Sequence, residues 1–155
     1  MNWPEELICA HELGHLIVAK ETGHDSQGIR LITSWWSGDV IAGYCDLRGF
    51  MYPTPGDNPE PGGWDLFRGM LVMTAGGQAA SEHWFTLNDQ PVLDTTGGVD
   101  GDYAAFRRDA AEMPNAPTWE QALEEARQII LSRWDEVVAL TPVLLEKRRM
   151  AGNKV

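Results

Sequence analysis

Two histidines and a glutamate near the start of the chain are the residues best suited to chemistry. They lie in residues 8–23, ICAHELGHLIVAKETG, where His11 and His15 are four apart and Glu12 follows the first histidine. On a helix this spacing places both imidazoles on one face, so both can bind one zinc ion. Zinc lowers the pKa of bound water to about 7, and Glu12 can accept a proton from that water. This HExxH pattern is typical of metallopeptidases and favours a zinc site over a pair of core histidines.

A catalytic zinc site needs a third protein ligand, and the residue types alone leave its identity open. The longer pattern HExxHxxGxxH would require glycine and histidine where this chain has Val18 and Glu21. His24 follows the predicted helix, and we expect it to be a surface residue in a turn. The remaining candidates lie on two later predicted helices, and they are Glu82, His83, Asp100 and Asp102.

The HExxH pattern lies on a helix that we predict from Pro4 to about Thr22. Proline suits the first turn, Glu5 and Glu6 suit the positive end of the helix dipole, and Gly23 suits its end. Apolar residues surround this helix on every side, which predicts that it is buried.

A β-hairpin is predicted next, with strands at 29–35 and 40–46 and a turn at Ser37–Gly38. The Pro- and Gly-rich residues 51–63 predict a mobile surface loop. We expect the tryptophans of these regions to lie in the core rather than in a substrate groove. They are Trp35, Trp36, Trp64 and Trp84.

Helical spacing returns at residues 64–85, although Gly76–Gly77 lies inside this pattern. Glycine costs about 1 kcal/mol relative to alanine in a helix interior, so the pair predicts close approach of another backbone, with Gly14 as its counterpart. A helix break at the pair is the alternative. Another helix is predicted to start near Asp100 or Asp102.

The last long helix is predicted to begin at a capping box formed by Thr118 and Gln121. Thr141–Pro142 is expected to cap or kink it, with a second segment running to about Met150. Its predicted buried stripe comprises Leu123, Ala126, Ile130, Trp134, Val137 and Val138. The whole pattern predicts a mainly α protein with a small β-hairpin or sheet (α+β).

Composition limits the classes of function. The length of 155 residues fits a single domain, and 12 basic against 23 acidic residues give a net charge of −11, which disfavours nucleic acid as a partner. No apolar run reaches the roughly 18 residues that a membrane span needs. The acidic start NWPEELI is unlike a leader peptide, so we expect a cytoplasmic protein that does not contact membranes. Cys9 and Cys45 are expected to be small core residues without a disulfide.

Taken in order, the motifs resemble the protease domain of the FtsH-type ATP-dependent zinc metalloproteases. HELGH is similar to the family's HEAGH, and AGY at 42–44 to its LGY. TAGGQAASEHWF at 74–85 is similar to LGGRAAEELIFG, and TTGGVDGDYAAFRRDA to TGASNDLxxATxxAR. The resemblance covers about residues 5–149 and implies one zincin-like metalloprotease domain, residues 1–155, built on a central HExxH helix.

Carried over residue by residue, the resemblance implies that His11 and His15 are the zinc histidines and Glu12 is the catalytic glutamate. Asp102 matches the family's aspartate ligand, because DY here occupies the place of its DL. Asp100 is the nearest competitor for that position.

Two further assignments follow from the resemblance. Glu82 matches the second glutamate of the family's EE pair and is a candidate to orient a histidine ligand, or to be the third ligand itself. Ser81 replaces the first glutamate, whose role is left open. The strand carrying AGY is a candidate to bind substrate by strand addition, through Val40, Ile41, Ala42, Gly43 and Tyr44.

The implied activity is that of a zinc endopeptidase that cleaves extended or unfolded polypeptides. No segment of the 155 residues resembles the family's ATPase module. We therefore expect a stand-alone domain whose substrates are flexible or are unfolded by a separate partner, while the oligomeric state stays open. The alternative is a catalytically weak zincin-fold binding or regulatory module that retains zinc. The presence of Glu12 argues against it, because a structural zinc site needs no base.

Overall fold

Five helices and a three-stranded antiparallel sheet form the described part of the chain. The computed structural model describes residues 4–47, 63–90 and 99–155. In chain order the elements are α1 (Glu5–Glu21), β1 (Ser26–Thr33), β2 (Val40–Leu47), α2 (Gly63–Leu87), α3 (Val99–Ala110), α4 (Trp119–Ser132), α5 (Trp134–Lys147) and β3 (Arg149–Ala151). This confirms the prediction of a mainly helical protein with one small sheet. Within the described ranges, no helix is both long and apolar enough to cross a bilayer.

Helix α1 is the centre of the molecule. Every residue from Leu7 to Ala19 is buried, because α2, α4, α5, β1 and β2 pack around the helix. Helices α1 and α2 meet at Gly14 and Gly76, where a Cβ added to Gly76 would lie 2.7 Å from the carbonyl oxygen of Gly14. The predicted close approach at the glycine pair is confirmed, and α2 continues through it without a break.

The predicted hairpin is formed by β1 and β2, and its turn is longer than predicted. Strand β1 ends at Thr33, so Trp35 and Trp36 lie in the turn, where they are 79 % and 80 % exposed. The prediction that they belong to the core is wrong, because the strands end before their side chains can reach it. Trp64 and Trp84 do pack against the core. The loop predicted at 51–63 lies outside the described residues, except that Gly63 begins α2.

The C-terminal third keeps the predicted helix start but not the predicted break. Thr118 and Gln121 form the capping box at the start of α4. The break between the two helices lies between Ser132 and Trp134 instead of at the proline. Pro142 lies inside α5 at an exposed position, where water can bind the carbonyl left free by its missing N–H. Val138 is 59 % exposed, so its place in the buried stripe is wrong. Strand β3, which pairs with β1, is too short to show a sequence pattern.

His24 is buried, which overturns the prediction of a surface turn residue. It is 2 % exposed, and its Nδ1 lies 3.2 Å from Oγ1 of Thr22. A Cβ on Gly69 of α2 would lie 3.1 Å from its ring, so His24 fills the contact between α2 and the end of α1. Cys9 is a core residue, as predicted, whereas Cys45 is half-buried and packs against the core. The two do not form a disulfide.

Candidate metal centre

Three side chains from two distant segments meet at one point. Nε2 of His11 and Nε2 of His15 are 3.2 Å apart, and each lies 3.2 Å from Oδ2 of Asp102. Helix α1 supplies both histidines from one face, and the first turn of α3 supplies the aspartate. Within the described ranges, these three residues are the group whose donor atoms lie close enough to share a metal ion.

The other ring nitrogen of each histidine is held by a hydrogen bond that fixes its tautomer. Nδ1 of His15 lies 2.9 Å from the carbonyl oxygen of Met73, which can only accept, so this nitrogen carries the proton. The hydroxyl of Ser81 donates to the carbonyl of Gly77 at 2.8 Å, so its oxygen accepts from Nδ1 of His11 at 3.0 Å. When both imidazoles are neutral, Nε2 is therefore the unprotonated nitrogen of each ring, and the two Nε2 atoms face each other.

The donor set fits a zinc ion. Oδ2 of Asp102 is buried and faces Nε2 of His11 and Nε2 of His15. With both Nε2 atoms unprotonated, three lone pairs converge without a positive charge between them. Donor atoms roughly 2.0–2.1 Å from a tetrahedral zinc ion lie about 3.3 Å from one another, close to the separations found here. Two imidazole nitrogens and one carboxylate oxygen also suit zinc chemically.

The pKa values of His15 and Asp102 indicate how the charge of the centre is balanced in the metal-free protein. Burial lowers the pKa of His15, but the charge and hydrogen bond of Asp102 outweigh it and raise the pKa to about 9. Burial raises the pKa of Asp102, yet the two imidazoles hold it well below its usual range. A proton on His15 therefore supplies the positive charge when no cation is bound.

Glu12 lies beside the centre, against the backbone of β2. It is 6 % exposed, and burial raises the pKa of its carboxyl group, partly opposed by His15 and His11. A Cβ on Gly43 of β2 would lie 2.6 Å from Cγ of Glu12 and 3.2 Å from Oε1. The strand can approach the carboxylate this closely only because position 43 has no side chain.

Gly77 makes room for the two histidines. A Cβ there would overlap Nε2 of His15 and lie 2.5 Å from Cε1 of His11. The two glycines of α2 therefore make different contacts with α1. Gly76 packs against the backbone of α1, and Gly77 leaves space for the imidazoles of His11 and His15. The glycine pair predicted the contact with the backbone of α1. The space that Gly77 leaves for the imidazoles was not predicted, although the second glycine of the pair was a signal for it.

Glu82 lies apart from this group of donor atoms. Its carboxylate accepts hydrogen bonds from Nε2 of Gln78 at 2.7 Å and from Nε of Arg127 at 2.9 Å. The residue that orients a histidine from this part of α2 is its neighbour, Ser81. The Ser81 hydroxyl, at the position where the FtsH-type domains that the sequence resembles have a glutamate, thus contacts His11 directly.

The other ligand candidates stand as follows. His83 stacks edge-on against Trp134, with ring centroids 4.5 Å apart, and belongs to the packing between α2 and α5. Asp100 lies in the first turn of α3, and its side chain is outside the described part of the structure.

Strand β2 forms one edge of the sheet, whose order is β2–β1–β3. Opposite Thr33 and Ile32 of β1 stand Val40 and Ala42, so Ile41 is the extra residue of a β-bulge. Val40 is buried, and Ile41 is 56 % exposed. Among the described residues, no strand pairs with the side of β2 that faces away from β1.

No protein-family model matches this chain, and no curated protein matches it either. The geometry of the centre and the order of the motifs are therefore the observations that bear on its function.

Proposed function

We propose that this chain is a zinc endopeptidase that hydrolyses peptide bonds of extended or unfolded polypeptides. The observation that carries the proposal is the convergence of three lone pairs, on His11, His15 and Asp102, beside the buried carboxylate of Glu12. A structural zinc site is usually closed by four protein ligands, whereas three ligands leave a position for water.

The three ligands would hold one zinc ion, which would act as a Lewis acid and lower the pKa of a bound water to about 7. Ser81 and Met73 keep both imidazoles in the tautomer that presents Nε2. Glu12 accepts a proton from the attacking water at its carboxylate and returns one to the leaving amine. Burial supports this role, because it raises the pKa of the Glu12 carboxyl above its usual value and so makes the carboxylate a stronger base.

The substrate would lie along β2. An extended chain can pair with the open side of this edge strand through backbone hydrogen bonds, which suits a peptidase that does not depend on one sequence. Gly43 brings that strand against Glu12, so a bound chain passes the base. A folded substrate offers no free strand, which favours flexible polypeptides or a separate unfoldase. The zincin-like fold and the kinship with FtsH-type proteases belong to this proposal.

The first test is zinc content by elemental analysis. We expect about one zinc per wild-type chain, loss in His15→Ala and Asp102→Ala, and retention in Glu82→Ala, with folding checked by circular dichroism. Loss of zinc in Glu82→Ala with retention in Asp102→Ala would reassign the third ligand. A folded wild-type chain that takes up no zinc would contradict the proposal.

The second test is cleavage of casein and of a peptide library. The zinc-loaded wild type should cleave, and Glu12→Gln should retain zinc but lose at least about 100-fold in rate. Zinc binding with equal, negligible cleavage by both proteins would favour the catalytically weak binding module instead.

A further inference from the structure

The tip of the β1–β2 hairpin exposes large apolar side chains that the fold does not need there. Trp36 and Trp35 are 80 % and 79 % exposed, Ile41 is 56 % exposed, and Ile32 is 46 % exposed. Asp39 is the single charged residue between the two isoleucines. We call Ile32, Trp35, Trp36 and Ile41 the hairpin-tip patch.

The patch is held in place by the turn. The backbone N–H of Ser34 donates to the carbonyl of Asp39 at 2.8 Å, and that of Gly38 donates to the carbonyl of Ser34 at 2.8 Å. The rings of Trp35 and Trp36 lie against each other, with centroids 3.6 Å apart. Small polar residues suffice for such a turn, so two ordered, exposed tryptophans indicate a binding surface.

The patch is continuous with the strand that passes the catalytic base. Ile41 is the bulge residue of β2, two positions from Gly43, which contacts Glu12. From Gly43 to Val40 the strand advances three residues, about 10 Å at roughly 3.3 Å per residue. A chain paired with β2 near Glu12 would therefore reach the hairpin tip three or more residues from the bond that is cleaved.

We propose that the hairpin-tip patch binds apolar side chains of the polypeptide substrate, three or more residues away from the scissile bond. The protein would then select unfolded segments rich in apolar residues, which native proteins keep buried. This inference rests on the proposed peptidase function, because β2 is the substrate strand in that proposal. The net charge of −11 disfavours an anionic membrane surface as the occupant.

The test measures peptide affinity without cleavage. The zinc-loaded Glu12→Gln protein is titrated with an extended peptide carrying leucine and phenylalanine at alternate positions, and with the same peptide carrying serine there. We expect the apolar peptide to bind more tightly and to shift tryptophan fluorescence to shorter wavelength. Adding Trp35→Ser and Trp36→Ser should weaken binding of the apolar peptide about tenfold, the effect typical of buried aromatic anchors.

Matched controls separate this inference from the proposed function. Leu131→Ser with Val138→Ser removes two exposed apolar side chains from α4 and α5, 54 % and 59 % exposed, and should leave the affinity within about twofold of the parent. Zinc content, and the loss of cleavage in Glu12→Gln relative to the wild type, report on the peptidase itself. If the apolar peptide binds equally well to the parent and to the tryptophan variant, and both have normal zinc content, this inference is overturned while the proposed peptidase function stands. The inference would also be overturned if the tryptophan variant turned a dimer into a monomer, or if the fluorescence shift required lipid vesicles instead of peptide.

Discussion

Nδ1 of His11 lies 3.0 Å from Oγ of Ser81, a residue 70 positions later in the chain. Ser81 is fully buried, and its own proton is used by the carbonyl of Gly77. A neutral hydroxyl thus orients the first histidine of the HExxH pattern, where the resembled family carries a carboxylate. The centre depends on this hydrogen bond to present Nε2, and that dependence can be measured.

Ser81→Ala should lower zinc affinity about 10- to 100-fold, because His11 loses the acceptor that fixes its tautomer and ring orientation. Affinity is measured by competition with a chromogenic chelator. Thr74→Val is the control, since it removes an equivalent hydrogen bond, from Oγ1 to the carbonyl of Met70, on the same helix. Unchanged affinity in Ser81→Ala would mean that another contact orients His11.

Gly77→Ala should abolish zinc binding, because its Cβ would overlap Nε2 of His15. Gly101→Ala is the matched control, since a Cβ there meets nothing within 4 Å. Gly101 lies in α3, so its replacement should keep zinc and raise the free energy of unfolding by up to about 1 kcal/mol. Zinc content and thermal unfolding distinguish the two, and normal zinc in a folded Gly77→Ala protein would contradict the geometry.

Gly43→Ala should reduce kcat while zinc is retained. Its Cβ would press on Cγ of Glu12 and displace the carboxylate, and a misplaced base typically costs about 10- to 100-fold in rate. Peptide cleavage and zinc content are measured on the same samples. Ala42→Gly alters the neighbouring position without adding a Cβ and should stay near wild type. Loss of zinc together with kcat would show that position 43 supports the ligands instead of the base.

The stabilisation provided by zinc should grow as pH rises from 6 to 9. In the metal-free protein the pKa of His15 is raised from 6.5 to about 9, so its pairing with Asp102 stabilises the fold fully below pH 6.5. That contribution is lost as pH rises through 9. Zinc must displace the same proton, so its apparent affinity rises by up to about tenfold per pH unit below 9.

Thermal unfolding of metal-free and zinc-loaded protein at pH 6, 7, 8 and 9 measures this effect. The difference in Tm between the two forms should widen towards pH 9. Asp102→Asn should not bind zinc, so its Tm should not depend on added zinc at any of these pH values. A difference in Tm that is constant or narrows with pH would show that His15 does not compete with the metal for a proton.

Features governed by neighbouring residues were predictable from the sequence. The four-residue spacing of His11 and His15 defines one face of α1 wherever that helix lies, and the capping box at Thr118 involves residues three apart. The paired glycines of α2 predicted close contact with Gly14 because a glycine inside a helix needs such a reason. The histidine spacing and the capping box each span about one helical turn, so the local sequence contains them. The glycine pair is a local signal for a contact between two helices, and it predicts that such a contact exists because glycine is costly inside a helix.

Features governed by packing were decided by the tertiary structure. Residue types left four candidates for the third ligand, and only the placement of α3 brings Asp102 to 3.2 Å from both histidines. The burial of His24 and the exposure of Trp35 and Trp36 reverse what their residue types suggested, because the ends of α1 and β1 fix where these side chains point. Contacts between distant segments depend on how helices and strands pack against one another. The residue pattern within one segment does not determine how far its side chains lie from those of another segment.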